Sequence, residues 1–328
     1  MRPSIILCLF TLILNACSDA PKGEHAFSSS EVTDVKDMGL RRIELLRQSG
    51  GHVYASDFST FEILKLANMD LTTETVMGGE GRGPGEFYSI KFFDVFGDSI
   101  YAFVDQTKMH VFTTDGAYRR SIDLPAGILP AGRFAATEDG IVLFRRNHEH
   151  PLVKIDLAGN VINEFGRWVG NFDDARQQFV NNASKIVYDP LHQQYIRMFT
   201  VYPLIEFYDL EGNYLHHIEF TDEPILSERH QFITEEHKDA SKRNATYHLI
   251  EDVTISENQL ALLVYNHNIG ARDVLLLEIE RGNATRFRRY AFDDKPFSTL
   301  TTIELLGKNT LLAFSYGSPS AIYTIKLD

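Results

Sequence analysis

The chain has 328 residues, 44% of them apolar and 23% charged, with a formal net charge of −13 spread along its length rather than gathered in a tail. That balance belongs to a globular chain with a sizeable core. It argues against nucleic-acid binding, because phosphates are held by clustered Lys and Arg. Length alone leaves open two ordinary domains or one large all-β domain.

The first element is the N-terminal stretch "MRPSIILCLFTLILNAC", with one basic residue, an apolar run from Ile5 to Leu14, then Leu14-Asn15-Ala16-Cys17. The run is too short to span a bilayer, which takes about 20 residues, and has the length of a signal-peptide core. Leu at −3, a small residue at −1 and Cys at +1 resemble the lipobox of bacterial lipoproteins. That resemblance implies a signal peptide over residues 1–16, removed on processing, and a diacylglycerol on Cys17. The only other cysteine is Cys8, inside the signal core, so the processed chain is expected to carry neither a disulfide nor a free thiol. Residues 17–29 are small and polar, the composition of a flexible tether.

Beyond the tether, short alternating runs recur between Gly, Asp and Asn turns, and no long amphipathic helical pattern intervenes. The turns are clearest at "TTDGAYRRSIDL" (113–124), "DLAGNVINEF" (156–165) and "DLEGNYLHHIEF" (209–220). Pairs of strands begin near residues 51, 98, 140, 193, 258 and 308, from "GHVYASDFSTFEILKLANMD" to "KNTLLAFSYGSPSAIYTIKLD". Each pair follows another apolar run: "RRIELL", "KFFDVF", "GRFAAT", "SKIVYD", "DVTIS" or "TTIELL". Four strands in about 40 residues is the unit of a β-propeller blade. The expectation is therefore an all-β, six-bladed propeller over residues 30–328. The sixth repeat supplies three strands, and the strand-compatible "FSSSEVTDV" at 27–35 is expected to complete it.

The pattern of Gly-x-φ-Tyr-x-x-Asp strands joined by "GEGRGPGEF" resembles NHL-type and TolB-like six-bladed propellers. Together with the lipobox it resembles the six-bladed propeller lipoproteins of Bacteroidetes. The resemblance covers roughly residues 30–328 and implies the fold and an outer-membrane, lipid-anchored address, with the side of the membrane open. It implies little about function, since relatives include enzymes and binding modules.

The segment "GGEGRGPGEF" at 78–87 lacks the Lys-Ser/Thr of a phosphate loop and leads into a strand rather than a helix. It reads as the crossing from the rim of blade one to the hub of blade two, with Phe87 plugged between the blades. Ligands of propellers usually meet the face that carries the connections between blades. Residues assigned to that face are Arg82, Lys108, His148, His150, Arg167, Trp168, Tyr202, His267 and Tyr316. The single Trp, in "GRWVGNFDDARQQF", suits a sugar or peptide, or else packs over a blade. The long connections 166–180 and 221–247 interrupt the repeat, and the second has room for a short helix.

No nucleophile elbow or Ser/His/Asp arrangement is evident. "NHEHP" offers only two histidines to a metal, and the "NAS" and "NAT" sequons at 182, 244 and 283 carry no expected role. The leading expectation is thus a monomeric, non-catalytic propeller without cofactor that recognises a peptide, glycan or partner protein. The alternative is a Ca²⁺-dependent hydrolase or lyase with Glu44, Asp94 and Glu304 converging in the channel, since Ca²⁺ prefers carboxylate oxygens. A purely structural partner in an envelope complex is the third.

Overall fold

A computed structural model of the chain describes residues 24–25, 30–34, 40–67, 70–129, 132–170, 172, 174–239, 242, 247–266, 270–280, 283–291, 299–316 and 320–327. Among these residues the strands form six sheets, each with a core of four antiparallel strands, arranged as a β-propeller. The inner strands are Ile43–Ser49, Phe93–Phe96, Ala135–Thr137, Ser184–Asp189, Ile250–Ser256 and Leu300–Leu305 for blades one to six. Blades one to five run outward in chain order, as the tight turns of the sequence require. In blade six the outermost strand is Ser30–Asp34, antiparallel to Ala321–Lys326 in the register Ser30↔Ile325 to Asp34↔Ala321. Glu24–His25, within the segment read as tether, runs parallel to the outer strand of blade five, Asn283–Ala291.

The burial pattern explains why these runs are strands. Middle strands such as Gly140–Phe144 and Leu204–Tyr208 are buried throughout, because both faces meet neighbouring blades. Outer strands such as Tyr214–Glu219 have one wet face and are mostly polar or exposed. The core is consequently divided into six apolar layers, one between each pair of blades. Both long connections fold. Helix α1, Ala175–Asn182, starts where the Asp174 carboxylate accepts from the Arg176 and Gln177 amides. Helix α2, Pro224–Glu236, begins with a proline and buries Ile225, Leu226 and Ile233 between blades four and five. Among the described residues no helix is long and apolar enough to cross a membrane.

Around the axis the inner strands splay, so edge amides face the next blade without a main-chain partner. Such groups are costly unless satisfied, and here side chains of the preceding blade accept from them. Leu46 N–H donates to Thr302 Oγ1 (3.3 Å) and Gln48 N–H to Glu304 Oε1 (2.9 Å), joining blades six and one. Ala136 N–H donates to Asp94 Oδ2 (2.8 Å), joining blades two and three. Ile303 N–H donates to Asp252 Oδ2 (3.0 Å) and Leu305 N–H to Thr254 Oγ1 (3.4 Å), joining five and six.

Candidate functional site

The centre of the propeller is filled by ion pairs. Arg133, fully buried just before the inner strand of blade three, grips Asp252 with Nε and Nη2, both at 2.7 Å. Its Nη1 reaches Glu304 Oε2 at 3.1 Å, and Nη2 also donates to the Ile303 carbonyl at 2.6 Å. Arg47 Nε lies 3.1 Å from Asp94 Oδ1. Burial raises the pKa of Asp252, but the Arg133 guanidinium overrides it and holds the carboxyl at about 2. Burial dominates at Asp94 and Glu304 and pushes both upward against the pull of the arginines. The channel beyond this plug opens on the face opposite the blade connections, as a cavity of about 380 Å³ lined by Arg47, Asp94, Phe96, Tyr188, Glu257 and Glu304 among others.

The expected convergence of Glu44, Asp94 and Glu304 does not occur. Glu44 pairs with the half-exposed Arg42 at 3.0 Å, and the other two acids are each engaged by a guanidinium and a backbone amide. Among the described residues no group of three His, Cys, Asp or Glu side chains is placed to hold a metal ion. A donor set already neutralised by arginine does not fit Ca²⁺, which needs six to eight oxygens free to turn toward it. Arg133 and Arg47 were missed in the sequence. Their signal was an arginine next to the apolar residues of "GRFAAT" and "IELLRQ", the first just before an inner strand and the second within one.

The residues assigned to the loop face do not gather in one groove. Arg82 and Lys108 share a cleft of about 610 Å³ between the blade one–two connection and blade two, with Glu86, Tyr88, Asp105, Thr107, His110 and Tyr118. The glycine-rich segment builds one wall of it. Phe87 is fully buried between blades one and two, with ring centroids 5.5 Å from His110 and 5.8 Å from Phe112. A Cβ at Gly78, where φ is +91°, would lie 2.6 Å from the Phe87 ring, and one at Gly85 would press on Tyr118. The glycines therefore let the backbone lie flat against aromatic rings as it crosses from rim to hub.

Tyr202 lies in a second cleft of about 370 Å³ between α1 and α2, where its ring sits 5.4 Å from that of His230. Arg167 is held by the buried Glu206 (2.8 Å) and lies over Tyr214 (5.7 Å), at a small pocket between blades three and four. Trp168 packs edge-on against Phe144 and donates Nε1–H to the His148 carbonyl at 2.9 Å, so its ring serves packing. His148 approaches Glu164 and His150 approaches the Gly166 carbonyl, so the two imidazoles do not converge. Tyr316 is exposed and lies under Arg42 at 5.5 Å. Cys17 and His267 lie outside the described residues.

No protein-family model and no curated protein matches the chain. Solved structures do match. A Bacteroides fragilis chain named as an exported protein aligns at TM-score 0.62 and 13% identity, over 91% of this chain and 95% of that one. Streptogramin B lyase aligns at TM-score 0.53 and 10% identity, over 92% of this chain and 98% of that one. The β-propeller domain of Cps50 (Swd1) from Myceliophteria thermophila aligns at TM-score 0.52 and 10% identity, over 92% and 99%. A lyase, an exported protein and a propeller domain share the shape, so at these identities the likeness establishes the β-propeller fold and carries no activity with it.

Proposed function

We propose that this is a non-catalytic binding propeller, anchored to the cell envelope through lipidated Cys17, that recognises its ligand on the face carrying the blade connections. The observation that supports it most is the contrast between hub and rim. At the hub, the acids that a channel enzyme would need are spent on Arg133, Arg47 and neighbouring amides. On the loop face, the blade one–two cleft offers two cations without a carboxylate partner among the described residues, and the half-exposed ring of Tyr88. A cleft of this size suits a small ligand or a short stretch of a polymer. A calcium-dependent hydrolase would need Asp94 and Glu304 free to ligate, and each is held by a guanidinium and a backbone amide.

The test has two arms. Arrays of peptides and glycans probed with the purified protein should give ligands whose capture is lost in Arg82→Ala and Tyr88→Ala. Capture indifferent to both substitutions would overturn the assignment of the cleft. For the anchor, Cys17→Ala should abolish metabolic labelling with palmitate and shift the protein from the membrane to the soluble fraction. Labelling that persists in this variant would overturn lipidation at Cys17.

A further inference from the structure

Resting on the binding reading above, we propose that the cleft between blades one and two takes an acidic glycan, one whose sugar units carry carboxylates. Three observations converge there. The first is charge. Arg82 and Lys108 both line the cleft, and among the described residues neither is paired with a carboxylate. In a chain of net charge −13 the cleft is locally neutral, its two cations balanced by the Glu86 and Asp105 carboxylates, which are held instead by the Gly83 amide and by Tyr88 and Thr107. Guanidinium and ammonium groups left free in this way are suited to charge-assisted hydrogen bonds from a ligand carboxylate.

The second is a preset aromatic wall. Tyr88 is 48% exposed, yet its hydroxyl is fixed by donation to Asp105 Oδ2 at 2.6 Å. Asp105 Oδ1 is itself fixed by the Thr107 amide (2.6 Å) and hydroxyl (2.7 Å). The ring therefore stands in place before any ligand arrives, and binding does not have to order it. Its exposed face suits the C–H face of a pyranose.

The third is the remaining lining. His110 contacts Ser121 Oγ at 3.0 Å and the Glu86 carbonyl at 3.1 Å, and Tyr118 and Ser121 share a hydrogen bond of 2.9 Å. Burial lowers the His110 pKa, so it adds no charge at neutral pH. Glu86 Oε2 accepts from the Gly83 amide at 2.7 Å, and with Asp105 it supplies the acceptors for sugar hydroxyls. Apart from the aromatic rings, the apolar lining is Val104 and Pro84. Hydroxyl-rich, flat and anionic is the description of a uronic-acid oligosaccharide.

The experiment is calorimetric titration of the purified protein with tri-galacturonate, its methyl ester, a neutral oligosaccharide of the same length and an oligoglutamate peptide. Arg82→Ala, Lys108→Ala and Tyr88→Ala are titrated beside the wild type, with circular dichroism as the check on folding. The acid should bind, and weaken as salt is raised. Methyl esterification, or loss of either cation, should weaken it about tenfold or more, the value of one charge-assisted bond. Equal binding of acid and ester, or of wild type and the cation variants, would overturn the proposal. Preference for the neutral sugar or the peptide, lost in Tyr88→Ala, would overturn the ligand class and leave the loop-face reading standing. No binding on these or on the wider arrays would overturn both.

Discussion

Removing the hub arginine, Arg133→Ala, is the most demanding perturbation of this propeller. It withdraws a fully buried guanidinium from Asp252, bonded twice at 2.7 Å, and from Glu304 at 3.1 Å. Breaking a buried pair by deleting one partner costs about 3–5 kcal/mol, because the other charge is left without compensation. A second route gives the same order. Asp252 is held at about 2, roughly two units below an ordinary Asp, and each unit is worth about 1.4 kcal/mol, giving about 2–3 kcal/mol from that carboxylate alone. The expected loss at pH 7 is therefore about 3–5 kcal/mol.

The loss should depend on pH with a definite sign. In the wild type, the depressed Asp252 contributes stability that is present above its unfolded value and lost as pH falls toward about 2. Asp94 and Glu304, both raised by burial, act the other way and gain the fold stability as pH falls through their folded values. In Arg133→Ala, burial acts on Asp252 without its main opponent, so it joins the raised group. The gap between the two proteins should then narrow as pH falls from 7 to about 4. Urea unfolding followed by the fluorescence of Trp168, the single tryptophan, reads this directly. A loss below about 1 kcal/mol, or one of equal size at both pH values, would refute the account of the hub. Arg133→Met with Asp252→Asn removes both charges of the tightest pair and should recover part of the stability.

Phe87→Ala should cost about 3–5 kcal/mol, since the ring is fully buried between two blades. Gly78→Ala should also destabilise, but less in the Phe87→Ala background, because its Cβ meets that ring at 2.6 Å. Additive losses in the double variant would show that backbone strain alone is at work. Asn182→Ala should cost about 1–3 kcal/mol by stranding buried groups, as its side chain accepts from Val169 N–H (2.7 Å) and donates to the Val169 and Gln178 carbonyls (both 2.9 Å). For the same reason, a host that modifies Asn-Xaa-Ser should leave Asn182 of the folded protein bare, and mass spectrometry checks it. Adding excess Ca²⁺ should leave the melting temperature unchanged, whereas a specific site filled to 100 times its Kd would add about 2.7 kcal/mol.

The blades were legible because their signals are local. A two-residue alternation, a turn residue at each reversal and an apolar run before each pair leave little choice but a repeated four-stranded sheet. The long connections were legible as interruptions. The helix of the second follows its proline start, whereas α1 has a mean composition too polar to stand out and depends on the Asp174 cap. The loop-face assignment brought Arg82 and Lys108 into one cleft but scattered the rest, since which loops meet depends on how far each leans over the face.

The hub shows why its own chemistry stayed hidden. The matching tetrapeptides "IELL" at 43–46 and 303–306 invite the superposition of Glu44 on Glu304. The inner strands of blades one and six, however, each carry a bulge, between Ile43 and Leu45 and between Leu300 and Thr302. Counted from the bulge, Glu304 stands level with Arg47, and Glu44 with the exposed Thr301. The amide bridges agree independently. Leu46 N–H meets Thr302 across one blade boundary and Ile303 N–H meets Asp252 across another, which makes Leu46 and Ile303 equivalent. The matched tetrapeptides are thus three residues out of register, and an odd slip on a strand turns a side chain to the opposite face. That slip separates a ring of acids waiting for a cation from an arginine-filled hub: the inner strands of blades one, five and six bulge at matching positions, and where the tetrapeptide falls relative to the bulge, which the hydrophobic pattern does not reveal, decides which side chain enters the channel.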